Sequence, residues 1–572
     1  MSLALAVSLA LAAVLGLLAH LLVFRPLRAA PPLAAVVAAV GLTIALQAVA
    51  VLQFGSDNRF LAPVLPQRPL SVLGATVPSD RPLLAGLAVA AGALLWAVSR
   101  WTRFGLATRA VAEDEGVTAL LGYAPQRIAA VNWVTATVLA ALAGILVAPI
   151  SALNPTTYTL LVVPALAATL IGGLSSFGVT VGAALGLGVV QSVLLPAQED
   201  LPWLRQPGLR DGLPFLVVAV VVVARGQLVP GRGTPLTPAA RLPWVPPAGR
   251  PARALAVGVP LAVAALLALS GPYRLGLSRS LAGAVVCLSF VVLTGYVGQL
   301  SLAQMTLAGV AGFLLGRLHT GLHVPFPLAP LLAAAVAAAT GLLLGLVSRR
   351  VRGVDLAVVT LAAGVAVQET VFANPAVTGG LAGSRVPPPV VLGVDPGLAG
   401  PGFPRVGYGL LALAVLAGCC YGVARLRAEP AGRRMLAVRS NERAAAAGVD
   451  VARTKVAAFT LAAGLAGLGG CLIGYGQGQL SFESFGVSAS LLFLAVAAVG
   501  GVTSVRGALL GGLLVPGGLA FTALDRLAGL GRYQLLLSGV ALVAVVVLAP
   551  EGLAGRPLRR WGPRGTRPLP AP

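Results

Sequence analysis

The sequence predicts an all-α, polytopic bundle of transmembrane helices built as two homologous halves, and three observations carry that prediction. Hydrophobic residues make up 58% of the 572 and charged residues only 10%, far from the roughly 25% charged residues of a soluble globular protein. Mean hydropathy is +0.93, and about 17 apolar runs are long enough, alone or inside a bundle, to serve as spans in a layer that takes about 20 residues of helix to cross. One short polar stretch is also written twice. Arg103-Phe104-Gly105 leads to Arg109, Glu113, Asp114 and Glu115, then to Leu121-Gly122-Tyr123 and Arg127, before an apolar run. Ala431-Gly432-Arg433 leads to Arg439, Asn441 and Glu442, then to Ala447-Gly448-Val449 and Arg453, before another. A glycine turn follows each copy, at Gly172-Gly173 and at Gly500-Gly501.

In chain order the first half carries runs at about 3–24, 31–54, 82–99, 128–149, 158–174, 178–195 and 213–224. The second half carries them at about 255–271, 281–294, 300–318, 326–347, 354–373, 406–426, 455–475, 486–500, 507–522 and 534–549. With the 100–127 and 427–454 loops placed in the cytoplasm, alternation puts Arg25, Arg28, Arg349, Arg350 and Arg352 inside, as the bias of cytoplasmic loops toward Lys and Arg requires. Arg59, Arg68, Arg274 and Arg279 fall outside. The first run has no basic segment before Leu3 and leads into Arg25-Pro26-Leu27-Arg28, so it reads as a span rather than a signal peptide. Residues 225–252 are rich in Pro, Gly and Arg and read as a cytoplasmic linker. This divides the chain into a first half at 1–224, the linker, a second half at 253–555 and a basic cytoplasmic tail at 556–572.

Other classes fit poorly. The balance of 40 Lys+Arg against 17 Asp+Glu suggests nucleic acid, but the arginines sit between apolar runs and form no stripe with aromatics, so no nucleic-acid partner is expected and membrane lipid is the surrounding medium. Cys287, Cys419, Cys420 and Cys471 lie in apolar segments without metal-ligand spacing and read as small hydrophobes. His319 and His323 read as helix-end or loop histidines. Glycines within spans, such as Gly182, Gly186 and Gly188 or Gly507, Gly511 and Gly512, read as close helix packing. No constellation of catalytic side chains sits in the spans, and Lys455 follows Thr454 rather than a glycine, so the phosphate-binding G-x-x-x-x-G-K-[ST] loop is absent. The expectation is a transport protein without a cofactor of its own.

Two stretches stand out as candidate solute pathway. Gly295, Gly298, Gln299, Ser301 and Gln304 interrupt an apolar region as a broken or re-entrant helix does, and irregular backbone at membrane depth survives only when buried in protein or lining a wet cavity. Glu369 near the outer end of a span, followed by Thr378 and Gly379, either snorkels to the interface or faces the route.

These residues resemble the permeases of branched-chain amino acid ABC importers, of the LivH and LivM types, fused head to tail. The LivH-like part runs from residue 1 to about 224 and rests on Arg103 through Asp114, Leu120-Leu121-Gly122 and Gly172 through Ser176. The LivM-like part, from about 278 to 555, rests on Gly295 through Leu302, Thr378-Gly379-Gly380, Arg439 through Arg443 and Glu551-Gly552-Leu553. The first half lacks the two opening segments usual for the LivH type, while the second keeps their counterpart around 281–304. The resemblance implies import of branched-chain amino acids, or of a related small polar solute such as urea, through a bacterial inner membrane; Ala112-Glu113-Asp114 leans toward the amino-acid branch. It implies two ABC ATPase subunits that bind ATP and Mg, an extracytoplasmic solute-binding protein, and short coupling helices carrying Arg109, Glu113, Asp114 and Gly122 in one half and Arg439, Asn441, Glu442 and Gly448 in the other. The alternative is a proton- or ion-coupled secondary transporter, which also uses internal repeats but calls for buried carboxylates near the midplane.

Overall fold

The computed structural model describes residues 2–29, 32–63, 65–72, 75–151, 153–155, 158, 161–173, 175–200, 208–225, 245–246, 251–349, 354–380, 383–390, 396–397, 403–440, 442–549 and 552–555. Most of the 225–252 linker and all of the 556–572 tail lie outside them.

Apolar runs without β-branched crowding or internal turn signals fold as helix throughout. The first half comprises α1 (Ser2–Leu18, prolonged by a π turn Ala19–Phe24), α2 (Pro32–Phe54), α3 (Asp80–Trp101), α4 (Arg103–Glu113), α5 (Glu115–Leu120), α6 (Pro125–Val147), α7 (Val162–Ile171), α8 (Phe177–Asp200) and α9 (Leu209–Arg225). The second comprises α10 (Pro251–Ala268), α11 (Gly271–Phe290, prolonged by a π turn Val291–Tyr296), α12 (Gln304–Thr320), α13 (Leu328–Val347), and α14 (Val354–Val367, prolonged by a π turn Gln368–Phe372). It continues with α15 (Val406–Ala428), α16 (Pro430–Ser440), a 3-10 turn (Glu442–Ala447), α17 (Val451–Gln477), α18 (Val487–Gly500), α19 (Val505–Leu513), α20 (Leu519–Ala528) and α21 (Gln534–Leu548). Among the described residues two small antiparallel strand pairs decorate the loops: β1 (Pro69–Val72) with β2 (Ala75–Pro78) as a hairpin, and the distant β3 (Ser384–Arg385) with β4 (Gln479–Leu480).

The roughly 17 expected runs, some of them shorter than a full crossing, do not all become helices of spanning length. Among the described residues eleven helices reach spanning length and two more are apolar but shorter. The 507–522 run is two helices, because Pro516 lacks an N–H and Gly517 adopts φ +66 between them. The 158–174 run yields only the ten-residue α7.

The halves repeat one another in their packing. α1 lies on α6 as α13 lies on α17; α4 folds on α3 as α16 folds on α15; α7 packs α8 and α9 as α18 packs α19 and α21. Contacts between the halves are exchanged in the same way. α2 packs on α21, and its counterpart α14 packs on α9, the counterpart of α21. Reciprocal exchange of this kind is what a two-fold relation produces.

The α2–α21 seam is built on glycine. A Cβ on Gly539 would stand 2.5 Å from the Ala45 nitrogen and 2.8 Å from the Gly41 carbonyl oxygen, and one on Gly41 would stand 3.0 Å from Leu542 and Val543. Position 41 thus faces 542 while 45 faces 539, so α2 and α21 run antiparallel. This fixes which face the repeated polar stretches occupy. α2 leaves the turn where Arg28 Nε donates to Glu115 Oε2 of α5 at 3.0 Å, so it starts on the α4–α5 face and α21 ends there. After α21, Leu553 donates its N–H to the Val499 carbonyl and Ala554 to that of Gly500. Beside that end lie Val502 and Gly295, close to α16. Both polar stretches therefore lie on one face.

The centre belongs to α11, 89% of whose spanning window is buried, with Val285, Val286, Cys287, Leu288 and Phe290 fully enclosed. α17 is wrapped by α11, α12 and α13, whereas its counterpart α6 packs chiefly on α1. Among the described residues the first half holds no counterpart of α10 to α12.

The reading of span glycines as packing positions holds for Gly507, Gly511 and Gly512, each pressed against backbone, but not for Gly182, Gly186 and Gly188, beside which a Cβ would meet nothing within 4 Å. Gly539→Leu should therefore wedge the seam open and lower stability by about 1–3 kcal/mol, read as a fall in Tm in detergent, while Gly182→Leu should stay within about 0.5 kcal/mol of the parent.

Candidate functional site

Each repeated stretch forms a corner, and the same chemistry shapes both. Thr102 caps α4, its Oγ1 accepting from the Gly105 N–H at 3.1 Å. Gly105 lies directly against the carbonyls of Val98 and Ser99, and Gly432 against that of Leu426. A side chain at either place would lift the short helix off the span before it. Asp114 Oδ1 accepts from the Val117 N–H at 3.0 Å, capping α5. Gly122 at φ +87 and Gly448 at φ +78 then turn the chain left-handed, a conformation that favours glycine, before the next span begins.

The coupling residues expected from sequence divide in three. Arg109 and Glu113 are exposed on α4. Asp114 is exposed but spends an oxygen on its helix cap, so it shapes the corner as well as charging it. Arg439 departs from an exposed role. It is half-buried, its Cγ would stand 3.1 Å from a Cβ on Gly298, its Nε has no partner, and burial pushes its pKa down to about 10. Asn441 and the side chain of Glu442 lie outside the described residues.

Arg439 leads to the second candidate region. The break expected at 295–304 is present. After the π turn the chain leaves helical conformation at 297–303, Gly298 taking φ +74, and α12 starts at Gln304. This strap climbs from the corner face into the bundle. Gly295 abuts the Val502 carbonyl and Gly298 abuts Arg439; further on, Leu302 donates its N–H to Thr360 Oγ1 at 3.0 Å and Met305 to Ser490 Oγ at 3.1 Å. Thr360 sits six residues into α14, about 9 Å along its axis. The N-terminus of α12 thus lies within the apolar layer. Thr294 Oγ1 donates to the Gln299 carbonyl, Gln299 N–H to that of Leu293, and Ala303 N–H to Ser301 Oγ, which tie down the strap's own polar groups.

Toward the opposite face Phe313, Phe372 and Phe485 form a ring cluster, with centroids 4.9 Å apart for Phe313–Phe372 and 5.8 Å for Phe313–Phe485. Beyond it, Glu369 lies half-buried in the π turn ending α14 and accepts from Gln368 Nε2 at 3.1 Å; Gln368 Oε1 accepts from the Val487 N–H that opens α18. The backbone of Glu369 meets Gly208 ahead of α9, which places it on the seam between halves. Thr378 is buried and donates to the Phe372 carbonyl at 2.6 Å, so it fastens a turn, and Gly379 at φ +79 continues that turn.

Thr360, Ser490 and Thr306 escape a reading of the sequence. Lone hydroxyls in apolar runs usually bond their own helix four residues back, as Thr135 and Ser192 do here. His319 and His323 make no metal pair: His319 Nε2 lies 2.8 Å from the Tyr475 hydroxyl, and no metal-ligand cluster occurs among the described residues. A cleft of about 810 Å³ between α13 and α17 opens near the corner face; its acid, Asp450, caps α17 and pairs with Arg453 at 3.2 Å, so it carries no unmet chemistry.

Residues 1–222 and 275–546 both match the family described as branched-chain amino acid transport system / permease component. The chain belongs to this family. The chain is similar to the high-affinity branched-chain amino acid transport system permease protein LivM of Escherichia coli, 31% identical over 289 residues that cover 47% of this chain and 65% of the relative, and to LivM of Salmonella typhimurium to the same extent. The match thus spans less than two-thirds of the length of these relatives. No solved structure matches it. The two family matches correspond to the two structural repeats, and eleven spanning-length helices among the described residues fit a multi-pass protein of the inner membrane.

The strap depends on hydroxyls from other helices. Thr360→Val should leave the Leu302 N–H buried and unpaired, at about 1–3 kcal/mol, lowering Tm well below that of Thr135→Val, whose hydroxyl bonds only its own helix.

Proposed function

We propose that this chain is the fused membrane part of an ATP-driven importer of branched-chain amino acids, with a LivH-like half at 1–224, a cytoplasmic linker at 225–252, a LivM-like half at 253–555 and a basic tail at 556–572. Two separate ABC ATPase subunits bind ATP and Mg and dock at the corners α4–α5 and α16 with its 3-10 turn. An extracytoplasmic solute-binding protein delivers the solute to the opposite face. The observation that carries this reading is the corner built twice on one face, each copy held to a different half. Arg109 and Glu113 offer exposed charge there, and the paired glycines, Gly105 with Gly122 and Gly432 with Gly448, hold each corner close to its span. The relatives' printed name supports the solute class, and the exchanged α2–α21 and α14–α9 contacts support a path along the seam that closure of paired ATPases would open and shut.

The test is reconstitution. The purified chain alone should hydrolyse no ATP, and leucine-stimulated hydrolysis should appear with the two ATPase subunits and the binding protein; turnover by the isolated chain would contradict the reading. Glu113→Lys should uncouple. An exposed helix-end substitution alters stability by no more than about 0.5 kcal/mol, whereas leaving one partner of a desolvated charge pair unmatched costs roughly 2–5 kcal/mol of docking. Leucine uptake in vesicles should therefore fall at least tenfold with Tm unchanged. Unchanged uptake would remove Glu113 from the docking surface.

A further inference from the structure

The strap and the first turn of α12 concentrate unmet polar chemistry. Eleven buried side-chain atoms among the described residues lack a hydrogen-bond partner, and four of them lie within eight residues: Gln299 Oε1, Gln304 Nε2, Gln304 Oε1 and Thr306 Oγ1. Gln304 is 0% exposed and Thr306 is 2% exposed. A buried amide with both ends unpaired is costly, and here it occupies the first residue of a 17-residue helix that starts inside the apolar layer. The N-cap residue Ala303 offers no side-chain cap, and of the first-turn N–H groups Met305 is taken by Ser490 Oγ, so the partial positive charge of the remaining N-terminus adds to the donors.

We infer that the α12 N-terminus is the solute's carboxylate station, with Gln304 Nε2 and the Thr306 hydroxyl as side-chain donors and Gln304 Oε1 as the acceptor for the ammonium group of the same zwitterion. The inference rests on the permease reading and assigns its solute contact. Broken helices that present an N-terminus at membrane depth suit anionic groups. Charge decides the class. Residues 297–306 contain no ionisable side chain, and Arg439 meets the strap at Gly298, six residues before Gln304, so the groups at the α12 N-terminus itself offer a carboxylate dipoles. A zwitterion of zero net charge can be held that way and released, whereas a dicarboxylate or a diamine would bring an uncompensated charge into the layer. The surroundings are otherwise apolar and close. Gly364 of α14 packs against this turn, since a Cβ there would stand only 3.1 Å from Thr306 Oγ1 and 3.5 Å from Val487 Cγ2, and the Phe313, Phe372 and Phe485 cluster lies beyond it.

The experiment uses vesicles carrying the full chain with its ATPase subunits and binding protein, with radiolabelled L-leucine as probe. Gln304→Met keeps the volume and deletes the orphaned amide. Uptake should fall at least tenfold while the Tm of the purified variant stays level or rises, since a buried unpaired group has been removed. Excess 3-methylbutylamine, which lacks the carboxylate, should leave wild-type uptake unchanged. Unchanged uptake in Gln304→Met would overturn the assignment and leave the permease reading standing, because the amide would then be a structural orphan. Absence of leucine uptake by the wild-type assembly would sink both. If Gln304→Met fails to fold, the decision passes to Gly364→Ala, which narrows the site from α14 without touching Gln304: a severalfold rise in KM for leucine is expected, and an unaltered KM would overturn the assignment.

Discussion

Inside an apolar layer every peptide group needs a partner within the protein, at a cost of several kcal/mol when it finds none. Helices meet that demand by themselves. The strap at 297–303 cannot, and the structure around it follows from how its groups are satisfied. The Leu302 N–H reaches Thr360 on α14, and the Met305 N–H at the start of α12 reaches Ser490 on α18. α14 then holds α9 across the seam, and α18 holds both α2 and α21. Two hydroxyls thereby connect one interrupted segment of the second half to the helices that clasp the first.

The repeat is faithful where the halves meet and at the corners, and unequal between. Gly105 and Gly432 each press on the carbonyls that end the preceding span, and Gly122 and Gly448 each turn left-handed. Those positions answer to local geometry that both halves must satisfy. The break itself has no described equivalent in the first half, so the cluster of unmet groups at Gln299, Gln304 and Thr306 lies on one side of the two-fold. The two halves therefore meet unequally, with backbone and amide chemistry from α12, α14 and α18 on one side and close packing through Gly208 and Gly212, at the start of α9, on the other.

What the sequence discloses and what it hides divide along a physical line. The corners were legible because arginine and carboxylates between apolar runs belong in water, and Gly122 and Gly448 were legible because sharp helix ends favour a residue without a Cβ. The break was legible because glycine, glutamine and serine interrupt an otherwise apolar stretch. The direction each span faces was not. In a helix apolar all round, periodicity does not separate a lipid-facing side from a partner-facing one, so Gly182 and Gly539 look alike although only the second is pressed against a neighbour. Arg439 was hidden for a related reason: a basic residue at a helix end reads as solvated, yet this one turns inward beneath Gly298. The split of 507–522 was written in Val515-Pro516-Gly517-Gly518 and lost because the flanking runs sum to a plausible span.

Arg439 also shows how the corner and the mid-layer helix end can act as one body. A guanidinium with its pKa pushed down to about 10 remains charged at neutral pH, and with Nε unpartnered it sits in an environment that penalises the charge. That penalty shrinks as α16 moves toward water and grows as it moves in. Its contact is Gly298, the left-handed start of a strap only six residues from Gln304, and six residues span at most about 20 Å. The strap is fastened at its upper end to Thr360 and folded back on Leu293 and Thr294 at its lower end, so little slack remains between. Were α16 to shift, the displacement would reach the α12 N-terminus through backbone rather than through a chain of soft side-chain contacts, and Gly298 would be the position that passes it on or absorbs it.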